Sequence, residues 1–211
     1  MPEPAPKPGS PPVATLYGAL DGRGAGGEPL AALRERARAA YDAQELPYWR
    51  RSGFWQTSFV DLDLAALAPI EHPQAQGGLP EIVANRANAG VLVQRDASVV
   101  HVELDPKWAQ QGVILCSLEQ AALEHTELFE RYYLKRLALD RNKLEAASAA
   151  FWSGGAFLYV PPGLAIEEPF QIVYEISAAG SAQYAHTLAI VDTTSDIRLR
   201  EYDLAASEFT G

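Results

Sequence analysis

Hydrophobic positions along the chain predict helices first and strands afterwards. Residues 1–29 are rich in proline and glycine and offer almost nothing to bury, which predicts a flexible tail. A helix is then predicted to begin at Pro29–Leu30, with proline in its first turn. Its apolar positions recur at helical spacing: Leu30, Leu33, Ala37 and Tyr41.

The next part of the chain alternates between turn formers and short apolar runs. Residues 46–64 hold aromatic side chains between turn-forming residues and are predicted to become extended towards their end. Pro69 to Pro80 is predicted to be a polar loop. Residues 91–93 and 98–104 flank Arg95–Asp96, which predicts a short hairpin.

Two further helices are predicted before residue 152. Val113–Cys116 is predicted to be a brief strand, after which Ser117 and Gln120 form a capping box. The helix that follows has its apolar positions near one face: Leu118, Ala121, Ala122, Phe129 and Tyr132. The second helix runs from about Asp140 to Phe151, with three side chains pointing inward: Leu144, Ala147 and Phe151.

After Trp152 the period changes to that of strands. The extended stretches are residues 156–160, 170–176, 187–191 and 196–202. Phe170 and Ile172 alternate with Gln171, which predicts one buried face. The links are short and contain no helical segment, a spacing that fits a β-sandwich, a barrel or a stacked β-helix.

The chain is therefore predicted to be α+β and mainly β, in two parts. Residues 30–151 form a largely helical N-terminal domain, and residues 152–211 begin a β domain. Four strands that stop near Gly211 would expose an unpaired edge. We therefore expect more chain to follow.

Composition narrows the possible partners. The formal net charge is −10, with 17 basic against 27 acidic residues, which argues against nucleic acid or an anionic membrane surface as the main partner. No apolar run reaches the length of a membrane span. The one cysteine allows no intrachain disulfide, and nothing indicates secretion, so a cytoplasmic location is expected.

Few residues suggest a catalytic or metal-binding role. Cys116 is expected to be a small buried residue, although its place just before a helix would favour a lowered thiol pKa. The histidines show no paired metal spacing and are assigned surface or capping roles: His72, His101, His125 and His186. We therefore expect no catalytic residue and no metal ligand.

The remaining polar and aromatic candidates also favour structural roles. Ser153–Gly154–Gly155 lacks the G-K-[ST] of a phosphate loop and is expected to permit a tight turn into a strand, while Pro162–Gly163 suits a type II turn. Glu167, Glu168 and Asp192 are carboxylates that a carbohydrate-active enzyme would use, but a solvated surface is favoured. The tryptophans are expected to be core or interface anchors: Trp49, Trp55, Trp108 and Trp152.

One block of sequence resembles the SufB/SufD family. Residues 141–176 carry a lysine-bearing helix, a W-S-G-G-x-F-x-Y-V-P-x-G turn and a P-x-Q strand, with Phe170 where the family usually has leucine. The matching positions are Lys143, Leu144, Trp152, Ser153, Gly154, Gly155, Phe157, Tyr159, Val160, Pro161, Gly163, Pro169 and Gln171. Residues 46–64, 112–133 and 186–202 agree, so the likeness covers about residues 31–211.

The resemblance implies a helical N-terminal domain followed by the start of a right-handed parallel β-helix. In the family, a SufB and a SufD subunit pair through their β-helices, and each docks a SufC ATPase through C-terminal helices. The complex assembles iron–sulfur clusters, but the ligands and docking helices lie downstream. This portion is therefore expected to bind no cofactor alone, with a cluster or iron implied for the full complex.

The resemblance therefore implies the function of a non-catalytic, SufD-type scaffold subunit. The entry segment near Trp49 and the strand at residues 186–191 are more SufD-like, and a SufB-type subunit is the alternative. A β-helix carbohydrate-active enzyme using Glu168 and Asp192 is less favoured. A stand-alone, self-associating interaction module is a further reading.

Overall fold

A computed structural model describes most of the chain from the first predicted helix onward. The described residues are 28–45, 68–69, 79–84, 86–133, 135, 138–177 and 181–205. Several predictions lie outside them: the tail at residues 1–27, the segment at residues 46–64, most of the loop at residues 69–80, Trp49, Trp55 and His72.

Helices and strands are interspersed up to residue 152, and only strands follow it among the described residues. In chain order they are α1 (Glu28–Ala43), β1 (Ala68–Pro69), β2 (Gly90–Arg95), β3 (Ser98–Leu104), α2 (Pro106–Ala109), β4 (Ile114–Ser117), α3 (Leu118–Glu124), α4 (Thr126–Tyr132), α5 (Lys143–Ala150), β5 (Gly155–Val160), β6 (Phe170–Ile176), β7 (Ser181–Ala182), β8 (His186–Val191) and β9 (Leu199–Ala205).

Helix α1 confirms the first predicted helix and packs on α5. It buries Ala37 and Tyr41 against the alanine-rich face of α5, where small side chains let the two helices approach closely. The Tyr41 ring meets Phe151 edge-on, with 4.9 Å between ring centroids. Helix α5 begins at Lys143, later than predicted, because the Asn142 side chain accepts hydrogen bonds from the backbone N–H groups of the first turn.

Strands β2 and β3 form the predicted hairpin around Asp96. The pair is antiparallel, and Asp96 turns the chain with a φ of 53°. Among the described residues, β1 and β7 form a short parallel pair, β3-β2-β6-β9 form one larger sheet and β4-β5-β8 form another, and neither closes into a barrel. Each of the two larger sheets combines strands from before and after residue 152, where the hydrophobic period of the sequence changes.

The strands after residue 152 repeat the same path. Strand β8 lies parallel to β5, with Gly155 paired to His186, and β9 lies parallel to β6, with Phe170 paired to Leu199. A parallel bridge from Ala165 to Asp196 joins the intervening turns. The chain therefore passes through the two larger sheets twice in the same order and direction. We call β5–β6 the first turn and β8–β9 the second turn.

Both faces of β6 are buried, which corrects the prediction of one buried face. Between the two larger sheets lie Leu92, Leu158 and Ile172. On the other face of β6, Val173 packs with Val83 and Val91, and Gln171 is fully buried. This second face of β6 is buried because another layer of the chain, which includes residues 80–84, covers it.

The helix after Ser117 is broken, which changes which tyrosine is buried. At His125 the backbone leaves the helical region, with φ −126° and ψ 40°, so α3 and α4 are separate helices. Tyr132, predicted to point inward, is 41% exposed, whereas Tyr133 is buried. The capping box is half formed: Ser117 Oγ accepts from the Gln120 N–H, but the Gln120 side chain donates to Glu124.

In the part of the chain that the structure describes, no helix is long and apolar enough to cross a membrane. Trp108 and Trp152 are buried, as predicted for core anchors.

Candidate functional site

A connected group of polar side chains in the described residues surrounds His186. Its Nδ1 lies 2.9 Å from the Tyr133 hydroxyl, and its Nε2 lies 2.7 Å from the Ser148 hydroxyl. These partners stand 53 and 38 residues away along the chain, at the end of α4 and within α5. We call Tyr133, Ser148 and His186 the histidine cluster.

The backbone of His186 is fixed as closely as its ring. Its N–H donates to the Gly154 carbonyl oxygen at 3.1 Å, and the Trp152 indole N–H donates to the same oxygen at 2.5 Å. Gly154 has a φ of 96° and Gly155 a φ of 150°, values that L side chains rarely adopt. These φ values agree with the predicted tight entry at the glycines, and the prediction that this entry opens a β-helix coil stays a prediction.

Hydroxyl contacts continue from His186 towards β9. The Tyr174 hydroxyl lies 3.3 Å from the His186 carbonyl oxygen and 2.7 Å from Thr187 Oγ1. Thr187 donates in turn to a Glu201 carboxylate oxygen at 2.5 Å. The two stacked turns are therefore joined by side chains as well as by their backbone ladders.

Burial keeps the cluster uncharged near neutral pH. It lowers the pKa of His186 to about 4, against a smaller raising effect from a backbone hydrogen bond with Ser148. Burial also raises the pKa of Tyr133 well above its usual range, which Arg34 partly opposes. The imidazole is therefore neutral at pH 7, with one nitrogen donating and the other accepting.

The contact between Ser148 and His186 has the distance of a nucleophile and its base, which the sequence analysis did not anticipate. The rest of the arrangement differs from a catalytic triad. The other ring nitrogen faces the hydroxyl of Tyr133 instead of a carboxylate that would stabilise an imidazolium. Because burial also opposes that cation, we interpret the cluster as a structural junction.

A second polar network supports the turn before β5. The Gln94 side-chain amide donates to the carbonyl oxygens of Asp96 and Ser153, both at 2.9 Å. The fully buried Asp96 carboxylate accepts from the N–H and hydroxyl of Ser177. Ser153 Oγ accepts from the Tyr184 N–H at 2.7 Å. The hairpin is thereby tied to the start of β5 and the end of β6.

Cys116 is buried, as predicted, but its pKa moves in the opposite direction to the one that a helix N-terminus favours. Burial raises the pKa of its thiol to about 12, and the carboxylates of Glu124 and Glu119 add to the effect. A thiol held neutral in this way is a poor nucleophile and a poor metal ligand.

The other candidate residues remain apart from the histidine cluster. His101 lies 3.5 Å from the Glu103 carboxylate, and the His125 ring stacks on Phe157. No group of three or more histidine, cysteine, aspartate or glutamate side chains suited to a metal ion occurs within the described ranges.

The carboxylates considered for carbohydrate chemistry lie at the ends of strands. Glu167 and Glu168 are exposed in the link between β5 and β6, and the Asp192 carboxylate accepts from the Thr193 N–H at 2.7 Å. Gly163, in the predicted type II turn, has the required positive φ of 84°.

Comparison with known proteins gives this region a family context. Residues 88–172, from just before β2 into β6, match the family described as "SufBD protein N-terminal region". The SufD iron–sulfur cluster assembly protein of Bacillus subtilis is 38% identical over 108 residues, which cover 51% of this chain and 25% of that protein.

Two further relatives match over longer stretches. The SufB iron–sulfur cluster assembly protein of Bacillus subtilis is 32% identical over 124 residues, covering 59% of this chain and 26% of that protein. A SufBD family iron–sulfur cluster assembly protein of Mycobacterium tuberculosis is 34% identical over 131 residues, covering 62% of this chain and 16% of that protein. The chain thus spans about a quarter or less of these relatives.

Proposed function

We propose that this chain belongs to a non-catalytic scaffold subunit for iron–sulfur cluster assembly, because its residues 88–172 match the N-terminal region of the SufB/SufD family. The observation that carries the proposal is the family match over β2 to the start of β6. The same residues contain Trp152–Gly155, the segment that fixes the backbone of His186.

A scaffold role is also supported by what the candidate residues do. Ser148 and His186 bond inside a packed junction, and the Cys116 thiol is kept neutral by burial. The described residues do not fit an iron–sulfur cluster, which takes several thiolate or imidazole ligands. We therefore propose that the cluster or its iron is held by other parts of the assembled complex.

Within the family we propose the SufD type. Identity to the Bacillus subtilis SufD protein is 38%, against 32% for SufB of the same organism, over stretches of different length. The SufB type of the same complex is the alternative.

For the fold, we propose that the two stacked turns are the first coils of a right-handed parallel β-helix. Support comes from the repeated parallel pairing of β5 with β8 and of β6 with β9, together with the bridge between the intervening turns. Each coil buries its inner side chains against the next, so such a stack extends by repetition.

The proposed partners follow from the family. A SufB-like subunit would pair through the β-helix, and a SufC-like ATPase would dock through a C-terminal region outside this sequence. A cytoplasmic location is proposed with them.

Co-purification tests the proposal. The full-length protein that contains this sequence, affinity-tagged, is co-expressed with the SufB-type and SufC-type proteins of its own organism and, in a second culture, with a SufD-type protein in place of the SufB-type protein. We expect all three in one complex of defined size by sedimentation. Recovery of neither partner would refute the scaffold assignment, whereas recovery with a SufD-type partner in place of SufB would assign this chain to the SufB type.

A further inference from the structure

The histidine cluster joins three elements that are distant in sequence. Tyr133 directly follows α4 as its C-cap, Ser148 lies within α5, and His186 is the first residue of β8 in the second turn. Since both ring nitrogens are engaged, one imidazole holds two helices against the same strand. The attachment therefore depends on the hydrogen-bonding state of a single ring.

A count of hydrogens shows what protonation changes at the contact. A neutral imidazole has one donor and one acceptor, and each hydroxyl can donate or accept, so both contacts are satisfied. A protonated imidazole donates from both nitrogens, so the hydroxyl that donated to the neutral ring must accept instead and turn its own hydrogen elsewhere. Around Tyr133 lie the rings of Phe129 and Trp152, with centroids 4.4 and 5.6 Å away, which are weak acceptors.

The charged groups around the cluster act on Tyr133 and on the neighbouring Tyr174. Arg34 of α1 lies 4.8 Å above the Trp152 ring and acts on Tyr133. Glu119 of α3 also acts on Tyr133, and Glu201 and Asp203 of β9 act on Tyr174. Burial is the largest influence on the pKa of His186, and it favours the neutral imidazole.

We propose that the histidine cluster is a proton-operated latch, which holds α4 and α5 on the second turn while the imidazole is neutral and releases them when it is protonated. The latch uses only contacts within this chain and is independent of the scaffold assignment. Acid would loosen the helices locally, before the two larger sheets separate.

Hydrogen exchange in the full-length protein tests the latch between pH 4.5 and 7.5, after correction for intrinsic exchange rates. Linkage predicts that the opening equilibrium of residues 126–133 and 143–150 rises by about tenfold per pH unit below pH 6.5, and on the order of fifty- to hundredfold by pH 4.5. Exchange in β2 and β3 is expected to stay constant. A parallel rise there would mean global unfolding and would overturn a local latch.

Two variants isolate the ring. His186→Gln keeps a donor and an acceptor but does not titrate, so the opening equilibrium of α4 and α5 should no longer depend on pH. The control is His101→Gln, which removes a histidine on β3 and should leave the pH dependence of the unmodified protein unchanged. An unchanged pH response in His186→Gln would refute the latch.

Ring titration provides a readout that does not depend on His186→Gln folding. In the unmodified protein, carbon-13 NMR of the His186 ring should give a pKa of about 4. An ordinary pKa for His186 in the unmodified protein would equally overturn the proposal.

Discussion

Gly155 and the carbonyl of His186 approach so closely that a Cβ on Gly155 would stand 1.9 Å from the His186 oxygen. The two residues are paired across the parallel strands β5 and β8, at the point where the second turn begins to stack on the first. The neighbouring Gly154 carbonyl accepts from the His186 N–H. Stacking of the two turns therefore depends on the missing side chain of a single glycine.

We expect Gly155→Ala to destabilise the protein severely, by about 3 kcal/mol or more, because the obstructing atom is backbone and the φ of 150° adds strain. Gly163→Ala is the matched control. Gly163 also has a positive φ, but nothing lies within 4 Å of its added Cβ, so we expect a cost of only about 1–2 kcal/mol. Urea unfolding measures both, and equal costs would show that the close approach is not limiting.

Adjacent tyrosines provide a test of the histidine cluster. Tyr133→Phe removes a hydroxyl bonded to His186 Nδ1 and leaves that nitrogen without this partner, so we expect a loss of about 1–2 kcal/mol. Tyr132→Phe alters an exposed residue and should change the free energy of unfolding by less than about 0.5 kcal/mol. Similar effects from both substitutions would argue against the contact with His186.

Cys116 should react slowly in the folded protein. With its thiol pKa raised from 9.0 to about 12, the thiolate fraction at pH 8 is on the order of a thousandfold lower than for an unperturbed cysteine. Alkylation by iodoacetamide should be slower by at least that factor than in the same chain unfolded in urea. Rapid alkylation of the native protein would contradict the assigned burial.

Lys143 should stabilise the contact between α1 and α5. Its ammonium donates to the Gln44 carbonyl oxygen at 2.9 Å and lies 4.1 Å from the centroid of the Tyr41 ring. We expect Lys143→Ala to cost about 2 kcal/mol and to increase hydrogen exchange in α1.

Lys107 serves as the control for Lys143. It is an exposed lysine 4.0 Å from the Trp108 ring centroid, so Lys107→Ala should cost less than about 1 kcal/mol and leave α1 unaffected. Comparable losses from the two substitutions would mean that the buried hydrogen bond to Gln44 adds little.

Much of the local structure could be predicted because it depends on neighbouring residues. The spacing of Leu33, Ala37 and Tyr41 is that of a helix, and the runs on either side of Arg95–Asp96 form the hairpin that they predict. The glycines at 154 and 163 adopt positive φ, as a tight turn requires. The family resemblance was likewise visible in a continuous block of sequence and is supported by the match over residues 88–172.

Where prediction failed, a distant part of the chain decided the outcome. Gln171 occupies a position that alternates with apolar residues, yet it is fully buried because another layer covers that face of β6. The second layer is not visible in the periodicity of one element. For Cys116 the predicted burial is confirmed, and burial with two carboxylates raises the thiol pKa that a helix N-terminus would lower.

The sequence by itself therefore determined where most of the longer helices, strands and tight turns lie, since these depend on backbone preference and local hydrophobic period. Only the tertiary structure decided that Tyr133 rather than Tyr132 is buried, and that His186 meets hydroxyls 53 and 38 residues away. The physical reason lies in two features of the tertiary structure. The break at His125 sets which tyrosine faces the core. The register of the parallel pair β5 and β8 sets the position of the His186 imidazole.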